Sequence, residues 1–114
     1  LNEVEAEQLE SALGVRIEAM DVSDIIVTLG GRGARWINAA SKTDQHFEAL
    51  KVKPVDTTGA GDTFTGYVLS ALDRGLSMGQ AISLAMRAAA MMVTRMGTAD
   101  VIPDLKEVEE FAGL

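Results

Sequence analysis

The run Asp56-Thr57-Thr58-Gly59-Ala60-Gly61-Asp62-Thr63-Phe64 holds the residue types and spacing best suited to chemistry. Its small residues bring the backbone into a tight turn at a helix start, and glycine removes side chains that would block a ligand's approach. Successive free N–H groups and the positive end of the helix dipole then suit an anion, in particular a phosphate. Asp62 stands at the rim of that turn, where its carboxylate could take the proton of a hydroxyl attacking a phosphoryl group. A plain structural account covers the same residues: two glycines make the turn and Asp62 caps the helix. The pattern is not a P-loop, because the lysine and Ser/Thr of G-x-x-x-x-G-K-[ST] are missing. A phosphate clamp here must rest on amides, a metal and other side chains.

Elsewhere such residues are sparse. Asn2 and Glu5 have capping-box spacing. His46, the single histidine, has no partner motif and reads as a strand or loop residue. Trp36, Tyr67 and the methionines of the long helical stretch read as packing residues. The absence of cysteine excludes disulfides and thiolate metal sites, and a reducing cytoplasm is the expected location. A net charge of −7 with no basic cluster argues against a nucleic-acid partner. The longest apolar run, Ala88 to Val93, is far short of the roughly 20 residues that cross a bilayer, and nothing resembles a signal peptide.

The elements that must position these residues follow from periodicity. At 114 residues, 47% of them hydrophobic and 24% charged, the composition is that of a folded domain, and one core is expected. Opening at Leu1 without a methionine suggests a fragment or a processed chain. Val4, Leu9, Ala12 and Leu13 recur at helical period up to Gly14. The continuous run Ile25-Ile26-Val27-Thr28-Leu29 predicts a strand buried on both faces, and hence a central parallel strand. Gly31-Arg32-Gly33 turns into Ala34–Asn38, residues 40–45 form a polar loop, and residues 46–53 predict a second extended segment, together a hairpin. Helices are predicted over 62–74, with Phe64, Val68, Ala71 and Leu72 on one face, and over 78–95, opened by Ser77 and Gln80. A short last helix follows Pro103, with Leu105, Val108 and Phe111 as its apolar face.

Residues 56–64 resemble the C-terminal signature of the ribokinase-like (PfkB-type) carbohydrate kinases. In matching order, Asn2-Glu3-Val4-Glu5 is similar to that family's N-x-x-E motif. Residues 27–34 resemble its nucleotide-binding strand and turn, and residues 88–103 also fit. The resemblance covers nearly the whole chain. It implies an α/β fold, specifically part of a three-layer α/β/α arrangement with a mostly parallel sheet and flanking helices. It implies phosphoryl transfer from ATP to a sugar or similar alcohol, with Asp62 as general base and Gly59, Ala60 and Gly61 as the anion hole. Asn2 and Glu5 would hold Mg²⁺ through its waters, since Mg²⁺ sheds its hydration shell reluctantly. Thr28, Gly30 and Gly33 would contact nucleotide, with Ala89 and Ala90 flanking adenine. Asp56, Thr58, Arg95 and Gly97 would surround a monovalent cation, K⁺ being the ion expected. Met86 and Val101 depart from the polar residues of several relatives.

Family members are more than twice this length and carry their sugar-binding residues and lid in an N-terminal part. The resemblance thus implies that residues 1–114 are the C-terminal nucleotide-binding half, with the N-terminal half as partner and self-association through an uncovered apolar face. The alternative is a non-catalytic, truncated nucleotide-binding or structural module.

Overall fold

Helix α1, Glu3–Leu13, begins where two residues satisfy each other's backbone. Asn2 Oδ1 accepts from the Glu5 amide and Glu5 Oε1 from the Asn2 amide, both at 2.8 Å. The helix ends at Gly14, whose left-handed φ of 66° lets its N–H return to the Glu10 carbonyl. The computed structural model describes residues 1–52, 59–94 and 105–110. These fall into two compact units, Leu1–Ala49 and Leu50–Leu114, where length alone suggested one core.

In the first unit, strands β1 (Asp24–Thr28), β2 (Ala34–Asn38) and β3 (Thr43–Phe47) lie in that order, antiparallel throughout. The described strands therefore make a small antiparallel sheet, not the mostly parallel one expected. The connections explain it. A 3₁₀ turn at Gly30–Arg32 joins β1 to β2 and residues 39–42 join β2 to β3, whereas a parallel pair needs a crossover of about a dozen residues. Parallel pairing occurs among the described residues at one isolated bridge, Asn2 with Thr28, where the Thr28 N–H donates to the Leu1 carbonyl at 2.8 Å. Burial in β1 alternates accordingly: Ile25 and Val27 are buried while Ile26 and Thr28 are half-buried. Ala6 of α1 completes an apolar cluster with Ile17, Ile25, Val27 and Ile37, and Met20 and Leu29 pack against it.

Strand β3 begins three residues before the predicted segment. The Asn38 side chain accepts from both the Ser41 amide, at 2.9 Å, and the Ser41 hydroxyl, at 2.8 Å, closing the turn so that Thr43 already pairs with Asn38. Arg35 braces the sheet. Its guanidinium donates to both Asp44 oxygens, at 2.8 and 2.6 Å, and to Glu18 Oε1 at 2.6 Å. Hydrogen bonding to Arg35 is the main reason the Glu18 carboxyl is lowered to about 2, and it also lowers that of Asp44.

The second unit is helical. Helix α2, Ala60–Asp73, ends in a Schellman motif: Gly75, at φ 86°, donates to the Leu72 carbonyl and Leu76 to that of Ala71, both at 3.0 Å. Ser77 then opens α3, Met78–Val93, with Gln80 as its capping-box partner. The two helices pack as a hairpin, burying Thr63, Phe64, Val68 and Ala71 of α2 and a wide stripe of α3 from Ala81 to Met92. Helix α4, Leu105–Glu110, packs on α3 through the fully buried Val108, and Phe111 of its predicted face lies outside the described residues. Among the described residues no helix is long and apolar enough to cross a membrane.

Candidate active site

The second unit holds the turn that the sequence singles out. Gly59 is the N-cap of α2, at φ 79° and ψ 0°, and makes no side-chain cap. Ala60, Gly61 and Asp62 are therefore the first three helical residues, so Asp62 does not cap the helix, as the plain structural account required. Among the described residues Thr63 is the first of α2 whose amide turns back, to the Gly59 carbonyl at 3.0 Å. The amides ahead of it belong to the helix start, which has no intrahelical acceptors to offer them and carries the positive end of the helix dipole. A Cβ built on Gly61 would meet nothing within 4 Å, so no packing contact among the described residues demands this glycine. Asp62 is exposed in this first turn, where a carboxylate is electrostatically favoured.

Beneath the turn lies the buried side chain of Met92, from α3. Thr63 Oγ1 donates to Met92 Sδ at 2.7 Å, and a Cβ on Gly59 would come within 2.8 Å of Met92 Cε. A cavity of about 480 Å³ opens here, within the range of small-molecule sites. Its long wall is one face of α2, Gly59, Asp62, Gly66, Tyr67, Ser70 and Arg74, closed by Met92 and by Leu105 of α4. Sequence reasoning assigned Tyr67 and the methionines to packing and passed over Ser70 and Arg74. Ser70 and Arg74 follow Asp62 by eight and twelve residues, two and three steps of the four-residue helical spacing, and this was the available signal.

The first unit gathers a second set. Asn2 bridges to Thr28, which brings the candidate magnesium pair beside the candidate nucleotide strand. Each of Asn2 and Glu5 spends one side-chain oxygen on the capping box, leaving the second Glu5 oxygen and the Asn2 amide group. Glu3 pairs with Arg32. One remaining carboxylate oxygen fits Mg²⁺ held through water and does not fit a full protein cage. Among the described residues no three acidic or histidine side chains cluster as a metal cage. Thr28 is half-buried at the end of β1, and Gly30 opens the 3₁₀ turn at φ 59°. Gly33 has a structural duty as well: at φ 100°, its Cβ would lie 1.8 Å from the Phe47 carbonyl oxygen.

Ala89 is half-buried and Ala90 buried on α3, and Met86 is half-buried there. The candidate cation residues Asp56, Thr58, Arg95 and Gly97, with Val101, lie outside the described residues. His46 sits exposed on β3 with Nε2 2.7 Å from the Arg32 carbonyl, as a strand residue should. Trp36 donates from Nε1 to Asp24 at 2.9 Å.

The sequence profile of the pfkB family carbohydrate kinases matches residues 1–105. The chain belongs to this family. A ribokinase of Staphylococcus aureus is 32% identical over 96% of the chain and 39% of its own length. The structure of ribokinase from Thermotoga maritima superposes with a TM-score of 0.84 at 37% identity, covering 95% of this chain and 39% of that one. An Escherichia coli protein assigned as a ribokinase II, solved with ATP and Mg²⁺, gives 0.80 at 32% identity, covering 95% and 36%. This pfkB-family chain thus spans under two-fifths of the length of these relatives. Its structural neighbours are ribokinase-fold kinases.

Proposed function

We propose that this chain supplies the base, the anion-binding turn and nucleotide contacts for phosphoryl transfer from ATP to a hydroxyl of a sugar or related small alcohol. The carrying observation is the start of α2: a helix begun by a left-handed glycine that has no side chain to cap it, with an exposed carboxylate in its first turn. Asp62 accepts the proton of the acceptor hydroxyl as its oxygen bonds to phosphorus. The bond from phosphorus to the bridging oxygen breaks, and ADP leaves with the electron pair. The amides of Ala60 and Gly61 hydrogen-bond the phosphoryl oxygens where negative charge gathers. Asn2 and Glu5 would hold Mg²⁺ through its waters, and the ion would offset phosphate charge. Thr28 and Gly30 serve the nucleotide in the first unit, and Ala89 and Ala90 in the second.

Family membership and the ATP and Mg²⁺ of the E. coli neighbour support this reading. The placing of residues 1–114 in the C-terminal, nucleotide-binding portion of a three-layer α/β/α fold is part of the same proposal. The test is Asp62→Asn in a kinase carrying these residues. General-base catalysis predicts that kcat falls about 10²- to 10⁴-fold while ATP affinity survives. Because Asp62 is not the cap, the fold should be kept. Unchanged kcat in the folded variant removes Asp62 from the mechanism and favours a non-catalytic nucleotide-binding module.

A further inference from the structure

We propose that Met92 is a positioning residue: its thioether, wedged beneath Gly59 and hydrogen-bonded by Thr63, fixes the turn that presents Asp62 and the free amides. This rests on the assignment of that turn as the site of phosphoryl transfer.

Three observations converge on one side chain. The Met92 methyl lies 2.8 Å from the ideal position of a Cβ on Gly59; the φ of 79° is what requires the glycine, and the flexible methionine end fills the space its missing side chain leaves. The Thr63 hydroxyl, buried and one turn beyond Gly59, donates to Met92 Sδ at 2.7 Å. Two residues later, Thr65 uses its hydroxyl differently, bonding the Gly61 carbonyl one turn back at 3.0 Å. Thr63 thus forgoes the usual helical back-bond and is held to α3. Met92 also lines the cavity that Asp62 borders.

The arrangement answers a mechanical need. A helix start without a side-chain cap frays easily, and an anion site requires its amides to stay uncapped. The turn must be held from beneath, by a contact that leaves those amides open. A methionine does this well, because its unbranched chain reaches under the backbone and its polarizable sulfur accepts a buried hydroxyl proton. Met91 is a built-in control. It is buried on the same helix, 8% exposed like Met92, but does not line the cavity.

The test compares Met92→Ala, Met92→Leu and Met91→Ala in the 114-residue chain by residue-resolved amide exchange and by ADP titration. Met92→Ala should speed exchange of the Thr63 amide about tenfold relative to that of Leu72 at the far end of α2. Met91→Ala, losing the same side-chain volume, should leave that ratio unchanged. Met92→Leu keeps the wedge and loses the acceptor, so an increase of about threefold is expected, and it serves if the alanine variant does not fold. Where wild type binds ADP, Met92→Ala should weaken binding about 10- to 100-fold more than Met91→Ala. An unchanged Thr63-to-Leu72 ratio in folded Met92 variants overturns the proposal. Failure of wild type to bind ADP counts against the phosphate-binding assignment of the turn, while the exchange ratios still decide what Met92 does.

Discussion

Glycines that look alike in the sequence have unlike duties. Gly33 packs so closely against the end of β3 that any Cβ would strike the Phe47 carbonyl, and its φ of 100° is itself hard for an L-residue. Two positions earlier, Gly31 faces open space at an ordinary φ. Gly33→Ala should therefore cost about 2 kcal/mol or more in urea unfolding, whereas Gly31→Ala should stay within about 0.5 kcal/mol. Near-equal stability of the two variants would show that the turn does not press on β3. Motif matching placed both in one nucleotide-binding turn and could not separate them, since a close approach between residues 33 and 47 is invisible before the strands are paired. The same limit applied at Asp62. Its place in the run suggested a cap, and only the left-handed Gly59 shifts the helix start far enough to put Asp62 inside the first turn.

At the scale of elements, the helix ends were the most legible parts, because caps are local. Asn2 with Glu5, Ser77 with Gln80, and the glycines at 14 and 75 all act where their types and spacing pointed. Strands were harder. The residues of β3, Thr-Asp-Gln-His-Phe, carry no apolar alternation since the strand is an exposed edge, and its start is set by a side-chain turn at Asn38. Helping to hold that edge is Arg35, linking β2 to Asp44 of β3 and to Glu18 of the 3₁₀ turn Ile17–Ala19. A carboxyl lowered on folding stabilises the native state above its unfolded pKa, and the contribution vanishes as pH falls through the folded value. For Glu18, lowered from 4.5 to about 2, that window runs downward from 4.5 to 2. Wild type should thus lose stability across it more steeply than Glu18→Gln, with the two converging near the acid end. Because these groups are partly exposed, the gap near pH 7 should be no more than about 1 kcal/mol. Parallel acid titrations followed by circular dichroism would show otherwise if the network were silent.

For the whole molecule, the question is what a chain with these parts can do unaided. Phosphoryl transfer is mostly positioning plus electrostatic stabilisation, and holding both reactants in line supplies on the order of 7 to 11 kcal/mol of the barrier reduction. The groups assigned above serve the donor, the transferring phosphoryl and the acceptor's proton. None of them is assigned to recognising the body of a sugar, and the relatives that phosphorylate one are more than twice as long. This is also why the acceptor could not be read from the residues: specificity resides in contacts to the acceptor, and the legible motif is the one proposed to hold the phosphate. The 114-residue chain should accordingly bind ADP yet release none from ATP in a sugar-dependent way, at any of a panel of pentoses, hexoses and nucleosides. A coupled ADP assay at high enzyme concentration checks this, with Asp62→Asn as the background control. Steady, sugar-dependent turnover abolished by that substitution would mean that the described units already hold an acceptor site, and the cavity along α2 bordered by Tyr67, Ser70 and Arg74 would be the place to look for it.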